Sequence, residues 1–147
     1  NGQAITSDKQ NIPKEKETIQ FPNFDIQISE VVRTIFQDSK GNIWFGAEGG
    51  AFKLAGNSLI YMDSIRSESG RRVTIKDIAE DKDGIIWFGH TEGMSSIAGE
   101  IVTNYYESDG LISNAVWCIA TDVVGNIWIG TFNGGVSKFD GKTYILI

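Results

Sequence analysis

The chain has little of what metal and redox sites are made from. Cys118 is its only cysteine and His90 its only histidine in 147 residues. A lone thiol closes no intrachain disulfide. One thiol and one imidazole also fall short of a thiolate-rich or multi-histidine metal set, so no metal site is expected. Two prolines leave no Pro-rich linker. No apolar run approaches the roughly 18 residues of a membrane-crossing helix. Arg71 and Arg72 are the only adjacent basic pair, and the formal net charge is −6. An acidic chain without a basic tract repels phosphate backbones, so nucleic acid is not an expected partner. The acidity itself reads as solubility. Nothing in the composition implies a cofactor.

What is present is turn formers and rings: 17 Gly, 4 Trp and 8 Phe. They recur in phase. Asp38-Ser39-Lys40-Gly41-Asn42-Ile43-Trp44-Phe45-Gly46 is matched by Asp81 to Gly89 and again by Asp122 to Gly130, each fitting D-x-x-G-x-I-W-[FI]-G. The tryptophans Trp44, Trp87 and Trp128 lie 43 and 41 residues apart. An Ile stands three residues before each Asp, at Ile35, Ile78 and Ile119. A repeat of about forty residues is a structural unit. Its short runs of Val, Ile, Phe and Trp, bounded by Gly, Asp and Asn, predict strands. In D-x-x-G the Asp can bond the turn backbone and the Gly takes positive φ. Further turns near Gly49, Gly93 and Gly134, and near Gly56, Gly99 and Gly141, divide each unit into four antiparallel strands.

Four short strands per forty residues is the signature of a β-propeller blade. The expected fold is all-β: a propeller segment of three blades at about 29–63, 72–107 and 113–147. Residues 1–17 are polar and read as a flexible tether. An extra strand is expected near 18–24, left free to pair elsewhere. In this reading each repeat Trp fills the wedge between neighbouring blades, and Gly46, Gly89 and Gly130 permit close approach beside it. Asp81-x-Asp83-Gly84 has the start of a calcium loop but none of its later acidic ligands, so it reads as a turn. Cys118, aligned with Thr34 and Asp77, reads as a packed strand residue.

The stretch Asp122-x-x-Gly-Asn-Ile-Trp-Ile-Gly-Thr-x-x-Gly-Gly-Val136, closing on Phe139-Asp140-Gly141, resembles the two-component regulator propeller repeat. The first copy departs from it at Ala47. The middle copy departs at His90 and at Met94-Ser95, which follow a single Gly. The resemblance implies the periplasmic sensor region of a hybrid histidine kinase, many of which sense carbohydrates. It therefore implies a ligand-binding, non-catalytic role and a periplasmic or cell-surface location. A chain opening on Asn1 fits a removed leader, and a polar tether suits a free or a lipid-anchored protein. Three blades are fewer than that family uses. Two exposed sheet edges invite pairing, so a homodimer closing a six-bladed ring, helped by the spare strand, is the expected assembly.

Ligand contacts are expected where the copies differ. These are the loops after the second strands, with Glu48, His90, Glu92, Phe132 and Asn133, and the aligned residues Arg33, Lys76 and Trp117. Two cations and an indole can hold an oligosaccharide by hydrogen bonds and stacking. Two other functions stay open. One is a protein–protein assembly module. The other is a propeller lyase or hydrolase, with His90 and Glu92 as a proton-transfer pair; the plainer reading of His90 is a surface-loop histidine beside an acid.

Overall fold

The computed structural model describes the backbone of residues 17–20 and the whole of residues 28–147. After β1 (Glu17–Gln20), three four-stranded units follow. Blade 1 is β2 (Val32–Gln37), β3 (Ile43–Ala47), β4 (Gly50–Ala55) and β5 (Ser58–Tyr61). Blade 2 is β6 (Ile75–Glu80), β7 (Ile86–His90), β8 (Gly93–Ala98) and β9 (Ile101–Tyr105). Blade 3 is β10 (Val116–Thr121), β11 (Ile127–Thr131), β12 (Val136–Phe139) and β13 (Tyr144–Leu146). Each blade is an antiparallel meander in sequence order. A single 3₁₀ turn, Glu107–Asp109, is the helical element among the described residues, and no described helix is long and apolar enough to cross a membrane.

The N-terminal strand is not spare. β1 pairs antiparallel with β5, Glu17 opposite Tyr61 and Gln20 opposite Ser58, and so forms a fifth strand on blade 1. The expectation that it stands free to close a ring is corrected: an unpaired β5 edge lay within reach of a neighbouring polar strand and took it. Of the tether expected over 1–17, Glu17 belongs to β1, and the rest lies outside the described residues, as do 21–24 of the expected extra strand.

The D-x-x-G turns do more than reverse the chain. Asp38 Oδ1 accepts the amides of Lys40 and Asn42, while Oδ2 accepts Asn42 Nδ2 and Trp44 Nε1–H at 2.9 Å. Asp81 does the same for Asp83, Ile85 and Trp87 Nε1 (2.8 Å), and Asp122 for Val124, Asn126 and Trp128 Nε1 (3.0 Å). Each carboxylate thus locks both its turn and the indole six residues on, which satisfies the polar end of an otherwise apolar ring. The hydrogen bonds from Trp128 and Asn126 hold the Asp122 carboxyl well below the usual range. At Asp38 burial pushes upward, but the bonds from Trp44, Asn42 and Lys40 outweigh it. Asp81 holds its turn through these bonds.

The repeat Trp faces the next blade and the repeat Ile faces the previous one. Trp44 and Ala51 pack against Ile75, Ile78, Ile86, Phe88 and Ile97 of blade 2. Trp87 and Met94 pack against Val116, Ile119, Ile127, Ile129 and Phe139 of blade 3. A Cβ on Gly46 would come 2.6 Å from Ile75, and one on Gly89 would come 2.7 Å from Val116, so these glycines set how closely successive blades approach. The two outer faces are less covered among the described residues: on blade 1 Ile28 packs against the buried Phe52, Leu59 and Tyr61, but β2 stays open. Ile35 is 67% exposed where Ile78 and Ile119 are 5% and 6% exposed. Val136 is exposed where Ala51 and Met94 are wholly buried. Cys118 lies on that same open face of blade 3 and is exposed, so its reading as a packed residue is corrected.

Candidate functional site

The three first strands share an irregularity with a consequence for binding. β2 pairs Val32 with Ala47 and then Thr34 with Gly46; β6 pairs Ile75 with His90 and then Asp77 with Gly89; β10 pairs Val116 with Thr131 and then Cys118 with Gly130. The residues skipped are Arg33, Lys76 and Trp117. A β-bulge leaves one residue out of the ladder and re-aims its side chain, and here it does so at the same position in every blade. β6 lies against both β2 and β10, so the three bulged residues sit at one end of adjacent strands.

In every copy one residue lies just past the end of the second strand, across from the bulge. One backbone bond holds that residue in place in every copy: Glu48 to Val31, Thr91 to Thr74 and Phe132 to Ala115. In blade 1 Arg33 Nη2 donates to Glu48 Oε1 at 3.0 Å. In blade 3 Trp117 lies on Phe132, ring centroids 5.0 Å apart and planes at 34°. In blade 2 the equivalent residue is Thr91, whose hydroxyl accepts the Thr74 amide. Lys76 crosses to the next blade and places Nζ 4.6 Å from the centre of the Trp117 ring. Lys76, Trp117 and Phe132 therefore form one cluster. Its rings stay accessible: Trp117 is 49% exposed and Phe132 68%. Two large rings held side by side in solvent, with an ammonium on one of them, can stack against a flat apolar face.

The remaining expected site residues divide. Arg33 and Glu48 satisfy one another in a surface pair of small energetic weight. Glu92 accepts Arg71 Nη2 at 2.8 Å, and Asn133 Oδ1 accepts the Ser113 hydroxyl at 2.9 Å. Both tie the second turn of their blade to the segment leading into its first strand, and neither joins the ring cluster.

His90 is corrected outright, both as a surface-loop residue and as a member of a proton-transfer pair. It ends β7 with no exposure to solvent. The Glu92 amide donates to Nδ1 (3.3 Å), so Nε2 carries the proton and donates to Ser95 Oγ (2.9 Å). The Ser95 hydroxyl donates a hydrogen bond to Asn104 Oδ1 (2.6 Å), and Asn104 Nδ2 donates to the Ser64 carbonyl (3.0 Å). Burial pushes the imidazole down to about 3. The reason is packing. Where blade 1 has the ring pair Phe52–Tyr61 beside Ala47, blade 2 has the small Ser95 and Asn104, and the imidazole fills the space they leave.

The sequence profile of the two component regulator propeller family matches residues 27–49, 67–92 and 110–133, which include all three bulges. Among solved structures, the chain is similar to the extracellular domain described as that of the hybrid two component system BT3049 from B. thetaiotaomicron: 31% identity, TM-score 0.68, over 80% of this chain and 17% of that one. A second likeness, to the extracellular domain of BT4673 from B. thetaiotaomicron, has 19% identity and TM-score 0.45 over 78% of this chain and 21% of that one. The chain thus spans about a fifth or less of these structures. No curated protein matches it.

Proposed function

We propose, from the premise that the chain belongs to the two component regulator propeller family, that it is the ligand-recognising part of an extracytoplasmic sensor and that its ligand is a glycan stacked on Trp117 and Phe132. The sensor-type propeller module follows from the family and from its likeness to an extracellular two-component domain. The glycan rests on one observation: an exposed, bulge-presented ring pair with a lysine against it. Sugars offer an apolar face to a ring and hydroxyls to the surrounding polar groups, and Lys76 favours sugars that carry a carboxylate. The role is binding rather than catalysis, because the histidine on which a lyase reading depends is buried and engaged at both nitrogens.

Titration with neutral and uronate-containing oligosaccharides, followed by calorimetry, tests this. Trp117→Ala is expected to weaken binding by about tenfold, the scale of a lost stacking contact of about 1–1.5 kcal/mol. Arg33→Ala, removing one side of a self-satisfied pair, should leave affinity within about twofold. A folded Trp117→Ala chain that binds as well as the native one overturns the platform. If no oligosaccharide binds the native chain, the glycan is wrong.

A second copy of the chain is proposed to cover the open faces. Blade 1 offers the Ile face and blade 3 the Trp face, and the two seams inside the chain show these faces packing on one another. Light scattering should give the mass of a dimer at tens of micromolar, a range in which interfaces of standard size persist. A monomer there refutes self-closure.

A further inference from the structure

The chain contains two seams of the same architecture, filled differently. In the seam between blades 2 and 3, Trp87 is packed by rings: Tyr105 stacks on it at 5.6 Å, Phe139 meets it edge-on at 6.1 Å, and Tyr144 stacks on Phe139 at 4.2 Å. The strand registers identify the equivalent positions in the seam between blades 1 and 2. Phe139 opposite Tyr144 corresponds to Ile97 opposite Val102. Tyr105, which follows Asn104, corresponds to Met62, which follows Tyr61. Three rings are thus replaced by a Met, an Ile and a Val around Trp44, and a groove of about 540 Å3 opens there. That volume lies within the range of small-molecule sites.

The mouth of the groove differs too. Lys40 and Lys53 line it where the other seam has Asp83 and Ser96. Lys53 reaches over the groove floor, its Nζ 5.3 Å from the centre of the Trp44 ring. The neighbouring acids are engaged: Asp63 with Arg66, and Glu80 with the amide and hydroxyl of Ser39. Glu100, also on the rim, has a partner as well. At the compared positions one seam has therefore lost three rings and gained Lys40 and Lys53, while the other seam has Lys82 at its turn, paired with Asp83.

We infer that this groove is a second ligand site, which takes a single-ring aromatic carboxylate. The ring occupies the space that Tyr105 and Tyr144 fill in the other seam, and the carboxylate meets Lys40 and Lys53. The groove lies at the end of the blades that carries the first-to-second strand turns, opposite the Trp117 end, so it stands apart from the glycan proposal.

The two methionines make the test direct. Met62 lines the groove, while Met94 is wholly buried in the other seam. With both methyls labelled with carbon-13, phenylacetate is added to the native chain. A saturable shift of the Met62 signal is expected, with Met94 unmoved, and with about millimolar affinity, as suits so few ligand atoms. Neutral phenylacetamide should bind about threefold or more weakly, and Lys53→Gln should weaken phenylacetate similarly, as for a partly exposed ion pair. Val102→Tyr, which restores a ring to the groove, should abolish the shift. No saturable Met62 shift overturns the site. Equal binding of acid and amide overturns the assignment to a carboxylate.

Discussion

Trp87→Ala is expected to lower the free energy of unfolding by about 3–5 kcal/mol, the scale of a buried aromatic truncation, and Trp128→Ala by about 1 kcal/mol, since only part of its surface leaves water. The residues are chemically the same, occupy the same motif position and each donate to the carboxylate six residues earlier. They differ in what lies beyond them. Trp87 is 5% exposed, inside the ring cluster of Tyr105 and Phe139 and against Ile119, Ile127 and Ile129. Removing it leaves a void between two sheets that other contacts hold at a fixed spacing, and it strips Asp81 of its indole donor. Trp128 is half-buried on the open face of blade 3, covered on one side by Lys138, whose Nζ lies 5.9 Å from the centre of its ring. Since small domains are stable by only about 5–15 kcal/mol, Trp87→Ala should be marginal and Trp128→Ala comfortably folded. Urea unfolding at micromolar concentration, followed by far-ultraviolet circular dichroism, measures both. Equal losses would show that the seams are not what stabilises the chain. If a second copy covers the open face, Trp128→Ala should also lower the mass in solution, which Trp117→Ala should not.

The framework was legible because it is written in residues whose conformational demands are local. Gly41, Gly84 and Gly125 all adopt φ between 81° and 100°, and the Asp three residues before each closes the turn through its carboxylate. The in-phase Trp and Ile announced two buried faces, and the seams place them there. The bulges were not legible. Arg33, Lys76 and Trp117 could be aligned from the sequence, but only the pairing of β2 with β3 and its two equivalents shows that each is skipped by the ladder. Nor was it visible that Lys76 would turn to Trp117 while Arg33 turned to Glu48. The two copies differ at the equivalent position, Glu48 in the first and Thr91 in the second. The destination of β1 was equally hidden, since a short polar strand carries no pattern that selects its partner.

His90 shows how a repeat can mislead and how it could have been read. Its position follows the Gly that ends the motif in all three copies, in a stretch that differs from copy to copy. The useful signal lay elsewhere in the alignment of copies: Phe52 and Tyr61 in the first blade stand against Ser95 and Asn104 in the second. Two large side chains lost from one layer must be compensated by a larger neighbour, because interiors do not tolerate voids. His90 stands where the first copy has Ala47. The departure from the family pattern at 90 is thus the repair of departures at 95 and 104.

That burial makes the chain's stability fall as the medium turns mildly acidic. In the unfolded chain the imidazole titrates near 6.5; in the folded chain burial holds it at about 3. The folded pKa lies below the unfolded one, so the neutral ring contributes fully above pH 6.5. As pH falls from 6.5 towards 3, the unfolded state takes up a proton that the folded state refuses, and stability drops by about 1.4 kcal/mol per pH unit. The geometry gives the same sign, since a proton on Nδ1 would face the Glu92 amide hydrogen that now points at it. The carboxyls held low, on Asp38, Asp122 and Asp140, lose their contribution only below the ordinary carboxylate value of 3.8. The window between pH 7.5 and 4.5 therefore belongs to His90. Native protein should lose about 2–3 kcal/mol across it. His90→Gln, whatever its stability at neutral pH, should show a much flatter profile. Urea midpoints at pH 7.5, 6.0 and 4.5 for the two chains provide the comparison. Parallel profiles would mean that His90 is protonated in the folded state, and the chain of bonds from Glu92 through Ser95 and Asn104 to Ser64 would have to be redrawn.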